Sequence, residues 1–140
     1  MQDLKVAKRR LKEKNFNLVI VKNGKVVFGT ESQGISGLLQ AIEKLGKELI
    51  GSSVADRIVG RAAAILCAYF KASSVFAVTI SEEGEKMLKE NEISYQFENR
   101  VPTILNYERT DVCPFEKLVM GLTKLEEAYE KLKAFTDSQS

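Results

Sequence analysis

Histidine is absent from all 140 residues of the chain. Its absence excludes the Ser-His-Asp and Cys-His arrangements of nucleophilic catalysis and every metal site that depends on imidazole. The two cysteines, Cys67 and Cys113, are too few for a structural zinc site of the usual four-ligand kind. We therefore expect no metal and no other cofactor, and we expect both thiols to be reduced in a cytoplasmic protein.

A charge imbalance and a long apolar run are also missing. The net charge is only +2, so no overall field favours nucleic acid or an anionic membrane as a partner. The longest apolar run, residues 62–70, is well short of a membrane span of about 20 residues. The polar start, MQDLK, shows no secretory signal. We expect one soluble domain over residues 1–140, with an N-terminal helix to residue 14 and a frayed tail at 136–140.

The stretch from residue 53 to residue 71 predicts a central helix buried nearly all round, because residues 62–70 include no charged side chain. Ser53 is a suitable N-cap, and Asp56 three residues later completes a capping box. The ionisable residues Asp56, Arg57 and Arg61 all fall in the first two turns. A binding site, if the chain has one, is therefore expected at the N-terminal mouth of this helix.

Gly60 lies inside this predicted helix, where glycine costs roughly 1 kcal/mol relative to alanine. Its presence predicts that another group approaches the backbone closely. That group is either a packed helix or strand, or a ligand lying over the first turns, where helix N–H groups and arginine favour an anion.

The other elements follow from local signals. Asn23-Gly24 between two apolar runs predicts a β-hairpin with a type I′ turn. Strands are predicted over 18–21, 26–28, 74–80 and 93–97, and helices over 3–14, 38–46, 81–91, 113–120 and 123–135, with an irregular stretch over 99–111. A hairpin followed by alternating strands and helices predicts an α/β fold, a three-layer α/β/α sandwich around a mixed sheet of about four strands.

Cys113 is the second candidate for chemistry. It precedes Pro114 at the start of a predicted helix, where the helix dipole favours a thiolate, although Glu116 one turn later opposes it. Cys113 is alternatively only a poor helix cap, with Asp111 as another cap. Asn106, in the irregular stretch, is either a polar group for a ligand or an ordinary loop residue.

Two stretches resemble the signatures of a small, uncharacterised prokaryotic family. They read Asp56-Arg-Ile-Val-Gly60-Arg-Ala-Ala-Ala64 and Cys113-Pro-Phe-Glu116. The family is a domain of unknown function whose fold is assigned to the cytidine deaminase-like superfamily, and the similarity runs from the hairpin to the final helix. The resemblance implies the same three-layer sandwich that the element order predicts.

The same resemblance bears on zinc. Deaminases of that superfamily open one helix with His-Ala-Glu or Cys-Ala-Glu and the helix after the next strand with Pro-Cys-x-x-Cys. The matching positions here read Val54-Ala55-Asp56 and Ser81-Glu82-Glu83-Gly84, which carry none of those zinc ligands. The resemblance therefore implies the fold without zinc-dependent deamination.

Three functions are compatible with these observations. The first is binding of a small metabolite, such as a nucleotide or another anion, at the mouth of the central helix. The second is a metal-independent enzyme that uses Cys113 or Asp56. The third is a protein-interaction or homodimerisation module. The residues expected at the binding site are Asp56, Arg57, Gly60, Arg61, Asn106, Cys113 and Glu116.

Overall fold

A computed structural model of the chain describes residues 2–139. Met1 and Ser140, which belong to the predicted N-terminal helix and the predicted frayed tail, lie outside the described residues. The helices are α1 (Gln2–Glu13), α2 (Ser36–Leu45), α3 (Arg61–Tyr69), α4 (Glu82–Glu90), α5 (Pro114–Val119) and α6 (Leu125–Gln139), and a 3₁₀ turn covers Gly46–Leu49. The strands are β1 (Leu18–Lys22), β2 (Lys25–Thr30), β3 (Ser53–Val59), β4 (Ser74–Ser81) and β5 (Ser94–Val101).

The strands form one mixed sheet in the order β2-β1-β3-β4-β5. β1 is antiparallel to both β2 and β3, whereas β3, β4 and β5 run parallel. The β1–β2 hairpin turns at Asn23 and Gly24, whose φ angles of 53° and 78° are those of the predicted type I′ turn. The predicted α/β class and the hairpin are confirmed, and the sheet has one strand more than the four expected.

The extra strand is β3, and it corrects the prediction of one helix over residues 53–71. Residues 53–59 form a central strand paired with β1 on one side and β4 on the other, and only Arg61–Tyr69 is helical. Most of β3 is buried on both faces, so its sequence lacks the alternation that identifies a strand. Gly60, with φ −100° and ψ −165°, is the extended residue that separates the strand from the helix. The predicted Ser53–Asp56 capping box therefore does not form.

Helices cover both faces of the sheet. α1 packs on one face through Leu4, Ala7 and Leu11, which contact Val19 and Phe76. The larger core lies on the other face, around α2, α3 and α4. α6 packs on the outer side of α3, where the rings of Tyr129 and Tyr69 stack with centroids 4.4 Å apart. Every α3 residue from Arg61 to Ala68 is buried, so the predicted all-round burial holds for the helical half of the stretch.

The remaining elements largely match their predictions. α4 begins after Ser81, whose hydroxyl accepts a hydrogen bond from the N–H of Gly84, and ends at Asn91. Pro114 is the first residue of α5, as predicted. α6 continues to Gln139, so the prediction that it ends near Phe135 is wrong. No helix within residues 2–139 is long and apolar enough to cross a membrane.

Candidate functional site

The N-terminus of α3 lies at the carboxyl end of the parallel strand β3, the edge where open α/β sheets commonly bind ligands. The chain leaves β3 at Val59, and Gly60 connects it to Arg61, the first helical residue. The first N–H groups of a helix have no partner within the helix. This turn therefore needs a hydrogen-bond acceptor from outside the helix.

Glu116 supplies that acceptor. Its Oε1 accepts a hydrogen bond from the N–H of Arg61 at 2.7 Å, and its Oε2 accepts one from the N–H of Ala62 at 2.8 Å. The Glu116 side chain comes from α5, 55 positions away in the sequence from Arg61, and is buried. A carboxylate in this position satisfies two helix N–H groups and interacts favourably with the helix dipole. The mouth of α3 thus holds an anion supplied by the protein itself.

Gly60 is what allows the carboxyl group to come so close. A Cβ atom at this position would lie 2.2 Å from Glu116 Oε1 and 2.8 Å from Cγ1 of Ile104. The group that approaches the Gly60 backbone is therefore a carboxylate with an aliphatic side chain beside it. On the other side, Gly84 of α4 packs so tightly that its Cβ would lie 2.6 Å from the carbonyl oxygen of Val59.

Arg61 fastens the segment that carries Glu116. Its Nε donates to the carbonyl of Val119 at 3.2 Å, and its Nη2 donates to the carbonyl of Leu122 at 2.6 Å. Nη1 forms an ion pair with Glu83 of α4 at 3.1 Å. The guanidinium thus joins α4 to the connection between α5 and α6, and it lies at the mouth of α3 as expected.

Asp56 occupies a different environment from the one expected, because it lies within β3. Its neighbours across the sheet are Leu18 and Ala77, both in the larger core. Asp56 also lies close enough to Cys67 in α3 that its charge adds to burial, the larger cause, in raising the pKa of that thiol. Asp56 Oδ1 accepts a long hydrogen bond of 3.4 Å from the N–H of Ile58. Burial raises the pKa of Asp56 to about 7, and the Ile58 N–H only partly offsets that effect.

Arg57 is not at the mouth of α3. Its Nε donates to the carbonyl of Phe16 at 2.8 Å and its Nη2 to the carbonyl of Leu11 at 3.0 Å, so it anchors the end of α1. Successive side chains of a strand point to opposite faces, which explains why Arg57 lies on the α1 side of the sheet while Asp56 lies on the α3 side. The expectation that Arg57 helps to hold an anion depended on a helix that does not exist.

Asn106 shapes the loop that precedes α5. Its Oδ1 accepts a hydrogen bond from the N–H of Thr110 at 2.9 Å, and its own N–H donates to the carbonyl of Asp111 at 2.8 Å. Tyr107 at the tip of this loop is 93% exposed. The Asn106 side chain is therefore used within the loop, and its hydrogen bonds account for its presence without a ligand.

Cys113 lies beside the mouth through its backbone. Its N–H donates to the carbonyl of Ile104 at 3.0 Å, and the Ile104 side chain is the one that approaches Gly60. Cys113 is the half-buried N-cap residue of α5, and its thiol makes no capping hydrogen bond. Within residues 2–139, no hydrogen bond or ion pair links Asp56 to Cys113, Glu116 or Arg61.

One polar cluster near this edge was not predicted from the sequence. Glu85 of α4 is nearly buried, accepts a hydrogen bond from the Tyr95 hydroxyl at 2.5 Å and pairs with Arg100 at 2.7 Å. These partners, the Tyr95 hydroxyl first, hold the pKa of Glu85 below its usual range, while burial and Glu85 raise the pKa of Tyr95 to about 12. Only the position of Glu85, three residues before Leu88 on the inner face of α4, could have indicated its burial.

Among the described residues, no three histidine, cysteine, aspartate or glutamate side chains converge as a metal site would require. The polar groups at the mouth of α3 are instead suited to anions and hydrogen-bonding ligands.

Comparison with known proteins identifies the family. Residues 6–136 match the family model described as a domain of unknown function, DUF1893. The chain belongs to this family. The uncharacterised family indicated by the two sequence signatures is thereby confirmed, and no curated protein matches the sequence significantly.

A solved structure of a protein from the same family is similar over nearly the whole chain. A DUF1893 family protein from Thermotoga maritima is 26% identical, with a TM-score of 0.87 over 95% of this chain and 89% of that one. RibD of Acinetobacter baumannii is 18% identical, with a TM-score of 0.49 over 69% of this chain and 33% of that one. The dCMP deaminase of cyanophage S-TIM5 is 12% identical, with a TM-score of 0.48 over 71% of this chain and 94% of that one. The last two are distant matches, and no activity is inferred from them.

Proposed function

We propose that this DUF1893 protein binds a small anionic metabolite at the mouth of α3, where an anionic group of the ligand replaces the carboxylate of Glu116. The observation that carries the proposal is the pair of hydrogen bonds from the N–H groups of Arg61 and Ala62 to Glu116. Two convergent N–H groups at a helix N-terminus suit a phosphate or carboxylate of a ligand as well as they suit a side chain.

The segment that carries Glu116 has fewer buried side chains than the elements of the central core. It covers residues 102–122 and includes the exposed loop around Tyr107 and the six-residue helix α5. Within α5, Glu116 and Val119 are the buried residues. We call residues 102–122 the cover segment. Because Val119 is its one fully buried apolar side chain, and Phe115, Leu118 and Leu122 are only half-buried, moving it away from α3 should cost less than opening the central core.

Movement of the cover segment would also release Arg61. Two of the three groups that the Arg61 guanidinium contacts, the carbonyls of Val119 and Leu122, belong to the cover segment. The third, Glu83, is on α4 and stays beside it. An opened mouth would therefore offer a guanidinium together with two helix N–H groups, which is the combination that recognises phosphate.

In this mechanism Glu116 competes with the ligand. The apparent affinity for an anion is reduced by the fraction of molecules in which the mouth is closed by Glu116. Removing the Glu116 carboxylate should therefore tighten anion binding, whereas most substitutions in a binding site weaken it. The sign of this effect makes the proposal testable before the natural ligand is known.

The test is calorimetric titration of inorganic phosphate, and then of nucleoside 5′-phosphates, into wild type and Glu116→Ala. We expect the Kd for phosphate to fall at least tenfold in Glu116→Ala and the gain to disappear when Arg61→Met is added. Glu127→Ala on the exposed part of α6 makes the same change in net charge and serves as the control. Equal phosphate affinity in Glu116→Ala and Glu127→Ala would contradict the proposal.

A further inference from the structure

The charges of the chain are distributed unevenly. Residues 2–25, which form α1, β1 and the turn to β2, include eight lysine and arginine residues but only two acidic residues, a net charge of +6. The rest of the chain therefore carries a net charge of −4. The small overall charge conceals a positive side of the molecule, and a local positive field attracts anionic partners even where an overall field is missing.

Four of these cations lie along one side of α1. Lys5, Lys8, Arg9 and Lys12 follow the spacing i, i+3, i+4 and i+7, which places their side chains on one stripe of a helix. We call these four residues the basic stripe. At 1.5 Å per residue, the basic stripe is about 10 Å long.

The basic stripe borders a part of the sheet that α1 leaves open. The Lys8 and Lys12 ammonium groups lie 4.8 and 5.8 Å from the centroid of the Phe76 ring in β4, and Lys12 forms an ion pair with Glu98 in β5. α1 contacts β1, β3 and β4, whereas β5 lies beyond them at the edge of the sheet. On β5, Gln96 is paired with Phe76 and is exposed. A partner can therefore reach the basic stripe from the side of β5.

The composition of this surface narrows the class of partner. Among residues 2–25, no large apolar side chain is exposed, because Leu4, Ala7 and Leu11 are buried against the sheet. A helix that binds a membrane surface needs an apolar face in the lipid, and the centre of a protein interface is rich in aromatic residues and poor in lysine. The stripe also has no aromatic ring on which an unpaired base could stack. The phosphate backbone of a duplex needs only cations.

We propose that the basic stripe binds double-stranded nucleic acid through the phosphates of one strand, without reading the base sequence. Successive phosphates of a strand are spaced about 3.4 Å along the helix axis, so a stripe of about 10 Å spans about three of them. Glu98 would weaken the binding, because it repels phosphate and occupies Lys12. The basic stripe lies on the opposite face of the sheet from α3, so this proposal and the one for the mouth of α3 can fail independently.

Fluorescence anisotropy with a short labelled DNA duplex of random sequence tests the proposal between about 50 and 200 mM salt. We expect the logarithm of the binding constant to fall linearly with the logarithm of the salt concentration, with a slope of about −3. Lys5→Gln combined with Arg9→Gln, both at exposed positions, should weaken binding at least tenfold at the lowest salt concentration and reduce the slope by about 2. Lys131→Gln combined with Lys133→Gln, at exposed positions of α6, makes the same change in net charge and is the matched control.

Glu98→Gln gives a second test with the opposite sign. It removes a negative charge beside the basic stripe and releases Lys12 from its ion pair, so duplex binding should tighten about threefold to tenfold. Glu127→Gln, on the exposed part of α6, changes the net charge equally and should leave the affinity near that of the wild type.

Equal losses in the variants of the basic stripe and of α6 would overturn the proposal, because the net charge alone would then account for binding. Displacement of the duplex by poly-glutamate at an equal concentration of charges would also overturn it and would indicate an acidic protein as the partner. Tighter binding to vesicles that contain phosphatidylglycerol than to the duplex would overturn it in favour of a membrane surface.

Discussion

Glu116 and Asp56 are two buried carboxyl groups in very different surroundings. Glu116 lies at the mouth of α3 and accepts hydrogen bonds of 2.7 and 2.8 Å from two helix N–H groups. Asp56 lies in the middle of the sheet, where its best donor is the Ile58 N–H at 3.4 Å. The comparison shows that burial alone does not decide whether a position stabilises an ionised carboxylate. The start of a helix supplies unpaired donors for a charge, whereas a central strand has already used its donors in the sheet.

The pKa values of the two groups reflect this difference. Burial raises the pKa of Glu116, but the N–H groups of Ala62 and Arg61 and the Arg61 charge all act to lower it. Burial raises the pKa of Asp56 from 3.8 to about 7, with little opposition. Asp56 is therefore largely protonated in mildly acidic solution. At higher pH, ionisation of the buried carboxyl group lowers the free energy of unfolding.

The largest expected effect is the pH dependence that Asp56 imposes on stability. Because the pKa of Asp56 is higher in the folded than in the unfolded protein, its contribution to the free energy of unfolding should be greatest below about pH 4 and fall as the pH rises to about 7. The difference between the folded and unfolded pKa values of Asp56 limits this loss in the free energy of unfolding to about 4 kcal/mol. Asp56→Asn should remove this part of the pH dependence and make the protein more stable than wild type at pH 8.

Urea unfolding of both proteins between pH 4 and pH 8 measures this effect. Asp111→Asn is the control, because Lys117 lowers the pKa of Asp111 and the change at that position should leave the loss between pH 4 and pH 7 in place. A wild type whose stability rises from pH 5 to pH 8 by as much as that of Asp56→Asn would show that Asp56 is ionised without penalty.

The second effect tests the other carboxyl group. Glu116→Gln keeps the shape of the side chain but removes its charge. It also places the donor NH₂ of an amide opposite the N–H of Arg61 or Ala62, which is itself a donor. We expect a loss of about 2–3 kcal/mol in the free energy of unfolding, since hydrogen bonds to charged groups are among the stronger ones. Glu127→Gln, on the exposed part of α6, should change stability by no more than about 0.5 kcal/mol. A similar small change for Glu116→Gln would mean that the carboxylate is not stabilising α3.

The third effect concerns the contact that Gly60 makes possible. Gly60→Ala should cost about 1–3 kcal/mol, because the added methyl group overlaps the Glu116 carboxyl group and the Ile104 side chain. The cost should be smaller when Glu116→Ala is already present, since one of the two obstacles is then removed. Gly29→Ala is the control, because its φ is not left-handed and its added methyl group would meet the Phe16 ring at an ordinary 3.4 Å. Strict additivity of Gly60→Ala and Glu116→Ala would contradict the proposed contact.

The same comparison explains what the sequence could predict. The hairpin at Asn23-Gly24 and helix α4 between Ser81 and Asn91 depend on local turn and capping chemistry, and both formed as predicted. β3 depends on pairing with β1 and β4, which are distant in the sequence, and its burial on both faces hides the strand period. Asp56 was consequently assigned to a helix mouth when it is a strand residue.

The candidate site likewise combines features that depend on local sequence with features that depend on contacts between distant residues. The close approach of a group to the Gly60 backbone was predicted from the cost of glycine in a helix, and such a group is present. The premise was wrong, because Gly60 precedes α3 in extended conformation and the mouth lies at Arg61, not near Ser53. That the approaching group is Glu116, 56 residues later, could not be derived from spacing, because it depends on how α5 packs against α3. The same holds for Arg57, since a change from helix to strand moves its side chain to the opposite face of the sheet.

The smallest expected effect on stability concerns the two cysteines. Cys67 lies near Asp56, and Cys113 lies near Glu116. Cys67 is buried, and burial followed by the Asp56 charge raises its pKa, so it should be almost inert to a thiol reagent in the folded protein. Cys113 is half-buried beside the mouth of α3 and should react at least 100-fold faster at pH 7. Cys113→Ser should remove the fast phase and change the free energy of unfolding by less than about 1 kcal/mol, because the thiol caps nothing. The alternative hypothesis of a catalytic Cys113 requires more: its alkylation rate near neutral pH must exceed that of an unstructured cysteine peptide, and a rate at or below that reference would remove its main support.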